Sequence, residues 1–167
     1  LARLGNLYAT KLLETGEKID SLFGPAYKGI PLVASLAVAL AARGVDLPYT
    51  YNRKEAKTHG EGGVLVGAKP KGWVALVDDV MTAGTAIRQS LEILAACDAT
   101  PRVVLLALDR QERGVHSDQS AVMEMRAQGL RVEALANLHD VLDWLATRPE
   151  LAVHLPKVQA YRAEFGV

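Results

Sequence analysis

The sequence predicts an α/β domain: a doubly wound, mainly parallel sheet with a flexible basic hairpin loop. Three observations lead there. The apolar runs at residues 74–77 and 103–108 are continuous rather than alternating, as in strands buried on both faces. Segments with apolar residues at helical spacing separate the strand-like runs along the chain. Turns of small or charged residues follow the runs, where an open parallel sheet holds its ligands.

In order, Leu1, Leu4, Leu7, Tyr8 and Leu12 share one helical face, and Gly16 ends that pattern. Residues 19–23 read as a short strand, expected at a sheet edge, that runs into Gly24-Pro25-Ala26-Tyr27-Lys28-Gly29. The two glycines permit unusual backbone angles there, and Lys28 supplies a positive charge. Residues 30–42 are apolar almost all round, which predicts a buried helix, with Gly44 as its C-cap. Residues 48–52 form the next strand.

Residues 53–63 then carry Arg53, Lys54, Lys57, His59 and three glycines, a composition that no core would take. A solvated hairpin tip is the plain reading. Beside an anionic ligand, the same charges would complement phosphate, and the glycines suit a lid that opens and closes. Residues 64–66 return as the second arm.

The most informative stretch is 74–86, Val-Ala-Leu-Val-Asp-Asp-Val-Met-Thr-Ala-Gly-Thr-Ala. Asp78 and Asp79 sit where the strand should end. Thr82, Ala83, Gly84 and Thr85 are small enough for backbone N–H groups to close around an anion. Ile87, Leu91 and Leu94 follow at helical spacing, and a helix start favours phosphate. Carboxylates accept hydrogen bonds from vicinal hydroxyls, so the combination points to a sugar phosphate. An ordinary βα turn would not need two acids at its strand end, and the acidic pocket of a receiver-like domain would not need Thr-Ala-Gly-Thr.

The run 103–108 delivers Asp109-Arg110-Gln111-Glu112-Arg113-Gly114 to the same end of the sheet. Residues 116–128 predict a helix and 132–136 a strand. Leu138, Val141, Leu142 and Leu145 mark another helix, and the tail after Pro156 is helical. Trp73 and Trp144 are read as packing residues, and His116, His139 and His154 as surface or helix-end residues without ligand spacing.

At 167 residues the chain is most simply one domain, residues 1–167. Positive and negative charges balance at 19 each, so no global attraction draws it to nucleic acid or an anionic membrane, and neither is expected as a partner. The single cysteine, Cys97, cannot form an intramolecular disulfide and fits a reducing, cytoplasmic setting. No apolar run approaches the ~20 residues of a membrane-spanning helix. The chain opens at Leu1 inside a helical pattern, as expected of the remainder of a longer protein.

The stretch 74–86 resembles the ribose-phosphate signature of the type I phosphoribosyltransferases. Within them, the likeness narrows to the bacterial type of orotate phosphoribosyltransferase. It rests on Phe23-Gly-Pro-Ala-Tyr-Lys-Gly-Ile-Pro31, on residues 52–63, on Leu108-Asp-Arg-Gln-Glu-Arg-Gly114 and on the ending 161–167. The resemblance implies the fold of that family and transfer of a phosphoribosyl group from phosphoribosyl pyrophosphate to orotate with magnesium. Asp78 and Asp79 would hold the ribose hydroxyls, Thr82, Ala83, Gly84, Thr85 and Ala86 would wrap the 5-phosphate, and Val80 and Met81 would belong to the same phosphoribosyl pyrophosphate site. Tyr27 and Lys28 would face the pyrophosphate across a non-proline cis peptide after Ala26. Arg53, Lys54, Lys57 and His59 would belong to a catalytic loop, residues 53–63, that reaches the neighbouring site of a homodimer. Lys57, His59, Asp78 and Asp79 would be the catalytic set. Thr82 and Arg110 would contact orotate. No dedicated protein metal cage is expected, because magnesium would ride mainly on substrate oxygens. The family also carries an N-terminal hood segment, with a lysine and aromatic residues for the substrates, that nothing in the chain matches. Transfer to another nucleobase is one alternative reading. The others are an RNA-binding regulator on the same fold and a non-catalytic fragment.

Overall fold

A computed structural model describes residues 1–57, 63–114 and 118–167. Its helices are α1 (Ala2–Glu14), α2 (Gly29–Ala41), α3 (Thr85–Ala95), α4 (Ala121–Ala127), α5 (Leu138–Ala146) and α6 (Leu155–Phe165), with a 3₁₀ turn at Pro149–His154. The strands β1 (Ser21–Gly24), β2 (Tyr49–Lys57), β3 (Gly63–Gly67), β4 (Gly72–Val80), β5 (Ala99–Asp109) and β6 (Arg131–Asn137) form one sheet in the order β3-β2-β1-β4-β5-β6. All neighbours pair in parallel except β2 and β3, an antiparallel hairpin.

Both faces of the sheet are covered. Leu22, Ala75, Val77, Val103 and Leu105 cluster with Tyr8, Leu12, Val33, Leu36 and Leu40 of α1 and α2. Their sequence neighbours Phe23, Val74, Leu76, Val104 and Leu106 cluster with Ile87 and Leu94 of α3 and Val122 and Met125 of α4. Successive strand residues point to opposite faces, so these are two layers of a doubly wound sheet. That explains the continuous apolar runs, which must satisfy a helix layer on each side.

Several expectations need correction. The buried face of α1 is Gly5, Tyr8, Ala9 and Leu12, whereas Leu1 and Leu7 are exposed. Gly5 sets that face, because a Cβ on it would lie 2.5 Å from the Ser35 carbonyl, so α1 crosses α2 there at close range. Strand β1 is not at a sheet edge but between β2 and β4. Arg53–Lys57, read as part of a loop, continue β2, and Gly63 already begins β3. Charged residues are tolerated there because the hairpin forms the outer edge of the sheet, and its register shifts between Asn52 and Lys57.

Helix α4 starts at Ala121, not 116, because Ser120 caps it by accepting from Met123 N. Trp73 and Trp144 are exposed, each beneath a guanidinium, Arg102 at 4.8 Å and Arg148 at 5.5 Å from the ring centroid. The C-terminal closure of α2 is as expected. Gly44 has φ +81°, Val45 N donates to Leu40 O at 3.0 Å and Gly44 N to Ala41 O at 3.0 Å, a Schellman closure.

Candidate active site

The parallel strands β1, β2, β4 and β5 all end at one edge of the sheet, and the residues singled out in the sequence gather there. Strand β4 carries Asp78 and Asp79 into its last turn of pleat. Asp78 is only 8% exposed. Its burial, with the Asp79 charge as a smaller contribution, pushes its carboxyl up to about 6, against the hydrogen bond that Asp79 N donates to Asp78 Oδ1 at 2.9 Å. Asp79 is partly exposed and takes a hydrogen bond from Lys28 Nζ at 2.6 Å. That bond and the Asp79 charge raise the Lys28 pKa.

The turn 81–84 leads from β4 into α3. Gly84, at φ +72°, is the N-cap of the helix, and among the described residues no side chain caps its first N–H groups. Those donors are therefore left for an anion. Asp78, Val80, Met81, Thr82, Gly84, Thr85 and Ala86 line a cavity of about 240 Å³ together with Ile87. Arg88 braces the turn from behind. It donates to the Ala83 carbonyl, and its NH2 pairs with Glu124 Oε2 of α4 at 2.5 Å.

The loop after β1 contains the expected cis peptide between Ala26 and Tyr27. Asn52 of β2 ties it down, its Oδ1 accepting from Ala26 N at 2.9 Å. Lys54 Nζ lies 4.9 Å from the centroid of the exposed Tyr27 ring. Pro25, Ala26, Asn52, Arg53 and Lys54 face Ala86, Gln89 and Glu92 of α3 across a second cavity of about 530 Å³. One terminal nitrogen of Arg53 is buried without a partner among the described residues. The backbone of Lys57 ends β2 at the same edge, and His59 lies outside the described residues. Arg110 follows β5 and pairs with Glu112, NH2 to Oε2 at 2.8 Å.

An edge that collects an acid pair, a helix start without a side-chain cap and the four cations Lys28, Arg53, Lys54 and Arg110 suits a phosphorylated sugar. The family model of the phosphoribosyl transferase domain matches residues 1–128. Over its whole length the chain is 55% identical to orotate phosphoribosyltransferase of Escherichia coli and 52% identical to that of Photorhabdus laumondii, covering 79% of each. The chain belongs to the orotate phosphoribosyltransferase family. A solved orotate phosphoribosyltransferase from Francisella tularensis superposes with TM-score 0.83 at 37% identity, covering 99% of this chain and 80% of that one. The chain's α/β architecture is thus that of its family.

The sequence reading missed the residues that brace this candidate site from behind. Tyr8 of α1 donates to the Asp78 carbonyl at 2.8 Å. Asn52, Arg88, Glu112 and Glu124 were also passed over. Asn52 carried a signal, a polar residue ending a strand beside the basic stretch. Tyr8 carried none, since it fits an apolar helix face.

Proposed function

We propose that this chain transfers the phosphoribosyl group of phosphoribosyl pyrophosphate to orotate, giving orotidine 5′-monophosphate and pyrophosphate in pyrimidine biosynthesis. One observation carries the reading. The Lys28–Asp79 pair joins the loop after β1 to the acid pair of β4, beside the cradle at 81–86. Hydroxyl acceptors, phosphate donors and a cation for the leaving group then share one edge.

As the bond from ribose C1 to pyrophosphate breaks, positive charge develops on the ring and negative charge on the leaving group. Asp78 and Asp79 hold the ring by its hydroxyls, and the backbone of Val80, Met81, Thr82, Ala83, Gly84, Thr85 and Ala86 holds the 5-phosphate. Tyr27, Lys28, Arg53 and Lys54 receive the pyrophosphate, helped by Lys57 and His59 from the hairpin. Arg110 takes the orotate carboxylate as a charge-assisted pair, with Thr82 beside the base. A ring nitrogen of orotate forms the new bond to C1, and its proton leaves to solvent. No covalent intermediate with the protein is needed, because fixed charges suffice to stabilise both developing charges.

Two adjacent carboxylates beside a phosphate cradle fit Mg²⁺, which keeps several waters and binds through one or two carboxylates and substrate phosphates. When bound it supplies countercharge to the pyrophosphate. We further propose a homodimer in the cytoplasm, with the hairpin of residues 53–63 reaching the neighbouring site. The exposed Lys54 and Tyr27 at that edge support the first part, and the lone Cys97 suits a reducing compartment.

Orotate absorbance, followed with and without phosphoribosyl pyrophosphate and Mg²⁺, tests the reading. Orotate should be consumed only when both are present. Consumption of a different base in its place would overturn it.

A further inference from the structure

The loop that carries Arg110 is fastened by residues 165–167. Val167 N donates to the Gln111 carbonyl at 2.9 Å, and Arg113 N donates to the Phe165 carbonyl at 2.8 Å. Between them Glu112 and Gly166 form an antiparallel bridge, and Arg113 Nε donates to the Gly166 carbonyl at 2.8 Å. From the other flank, His139 N donates to Gln111 Oε1 at 3.3 Å. Gln111 itself has φ +53°, a left-handed conformation that a non-glycine residue keeps when its surroundings hold it. Its N–H is taken by Asp109 Oδ1 at 2.9 Å.

This tight turn brings Arg110 and Glu112 onto one another. Their side chains are 32% and 15% exposed, and they share one hydrogen bond of 2.8 Å. A guanidinium and a carboxylate side by side can make two. The second pair of atoms, Arg110 Nε and Glu112 Oε1, is buried with no partner among the described residues. The guanidinium is therefore oriented by Glu112 but not used up by it.

We propose that Glu112 and the strap 165–167 are positioning elements that aim Arg110 at the carboxylate of the base, and so set selectivity for orotate over uncharged bases. The proposal rests on the reading that Arg110 receives orotate. An arginine already oriented by its neighbours loses less rotamer freedom when a ligand arrives. A buried donor left unpaired by a neutral base penalises that base, as in sites built to fill a hydrogen bond.

Four variants test it: a chain ending at Glu164, Gly166→Ala, Glu112→Ala and Glu112→Gln. A Cβ on Gly166 would lie 2.5 Å from the Arg162 carbonyl, so that variant shifts the strap without deleting it. KM for each substrate and the melting temperature are measured beside wild type and Arg110→Ala. Shortening the chain, Gly166→Ala and Glu112→Ala should each raise the orotate KM about tenfold while the phosphoribosyl pyrophosphate KM stays within about twofold. Glu112→Gln, which keeps an acceptor for Arg110, should recover most of that loss. If the shortened chain does not fold, Gly166→Ala and the Glu112 pair decide alone. Equal rises in both KM values, or an orotate KM like wild type in variants that fold, would overturn the positioning role while Arg110→Ala still weakens orotate. Absence of orotate consumption by wild type would instead overturn the reading beneath it, and this proposal with it.

Discussion

The phenol of Tyr8 donates to the backbone carbonyl of Asp78 at 2.8 Å, linking the first helix to the end of the strand that carries the acid pair. Strand β1 pairs with β4 only as far as Phe23 opposite Leu76, so Asp78 lies beyond its reach. Tyr8 supplies the donor that the missing strand does not. Burial, with the charges of Asp78 and Asp79, raises its pKa further, so it stays a donor throughout the working range. Tyr8→Phe keeps the ring that fills the core and removes only the hydroxyl. It should destabilise the fold by about 1–3 kcal/mol, the range for a buried carbonyl left unpaired. It should also weaken phosphoribosyl pyrophosphate binding. Urea unfolding and calorimetry would show both; unchanged stability would mean that water takes the place of the phenol.

Asp78 should make the free protein less stable as pH rises. Its carboxyl titrates at about 6 in the folded chain against 3.8 for an unburied one, so the folded state holds this proton more tightly. The resulting stability is fully present below about pH 4 and is lost as pH rises through about 6, a difference of about 3 kcal/mol. Asp78→Asn carries no charge to bury. It should therefore unfold at higher urea than wild type at about pH 8, with the advantage gone at about pH 4. Its affinity for phosphoribosyl pyrophosphate should fall at the same time. Equal urea midpoints at both pH values would show that the buried charge is compensated elsewhere.

The layered sheet was readable because its signal is redundant. Residues 103–108 are apolar at every position, and only a strand covered on both faces requires that. The acid pair and the small turn at 82–85 were readable because their chemistry is dense and local. What brackets them was not. Tyr8 and Arg88 act through contacts between elements far apart in sequence, such as the 70 residues between Tyr8 and Asp78, and the turn that brings Glu112 onto Arg110 is held by the distant residues 165–167. A tyrosine on an apolar helix face looks the same whether or not its hydroxyl is used. The basic stretch at 53–57 was read as a loop because its charges hide the strand, which an edge hairpin tolerates.

The loop after β1 should depend on Gly29 far more than α2 depends on Gly44. A Cβ on Gly29 would lie 2.7 Å from Pro25 Cδ and 2.8 Å from the Val77 carbonyl, so loop or strand must move. Gly44 has open space around it, and its only constraint is φ +81°. Gly44→Ala should cost about 1 kcal/mol through its backbone and leave phosphoribosyl pyrophosphate affinity alone. Gly29→Ala should cost about 1–3 kcal/mol, as overpacking does, and weaken that affinity sharply. Calorimetry on both variants makes the comparison. Equal affinities would detach the loop from pyrophosphate.

The proposed sharing of the site can be tested by mixing defects. Hairpin β2–β3 stands at the outer edge of the sheet, and Lys57 closes the described part of β2. A basic hairpin in that position can serve its own subunit or, across a two-fold axis, its neighbour. Suppose Lys57→Ala protomers are mixed with Arg110→Ala protomers and allowed to exchange. If the hairpin acts across the axis, one site of each heterodimer collects both defects. The other receives an intact hairpin from the Arg110→Ala chain and keeps its own Arg110. Each parent homodimer should turn over orotate poorly, and activity should appear on mixing. If the hairpin serves its own subunit, every site in the mixture carries one defect and none recovers. Mass measurement establishes that heterodimers are present. With them present and activity still absent, the hairpin acts within its own chain.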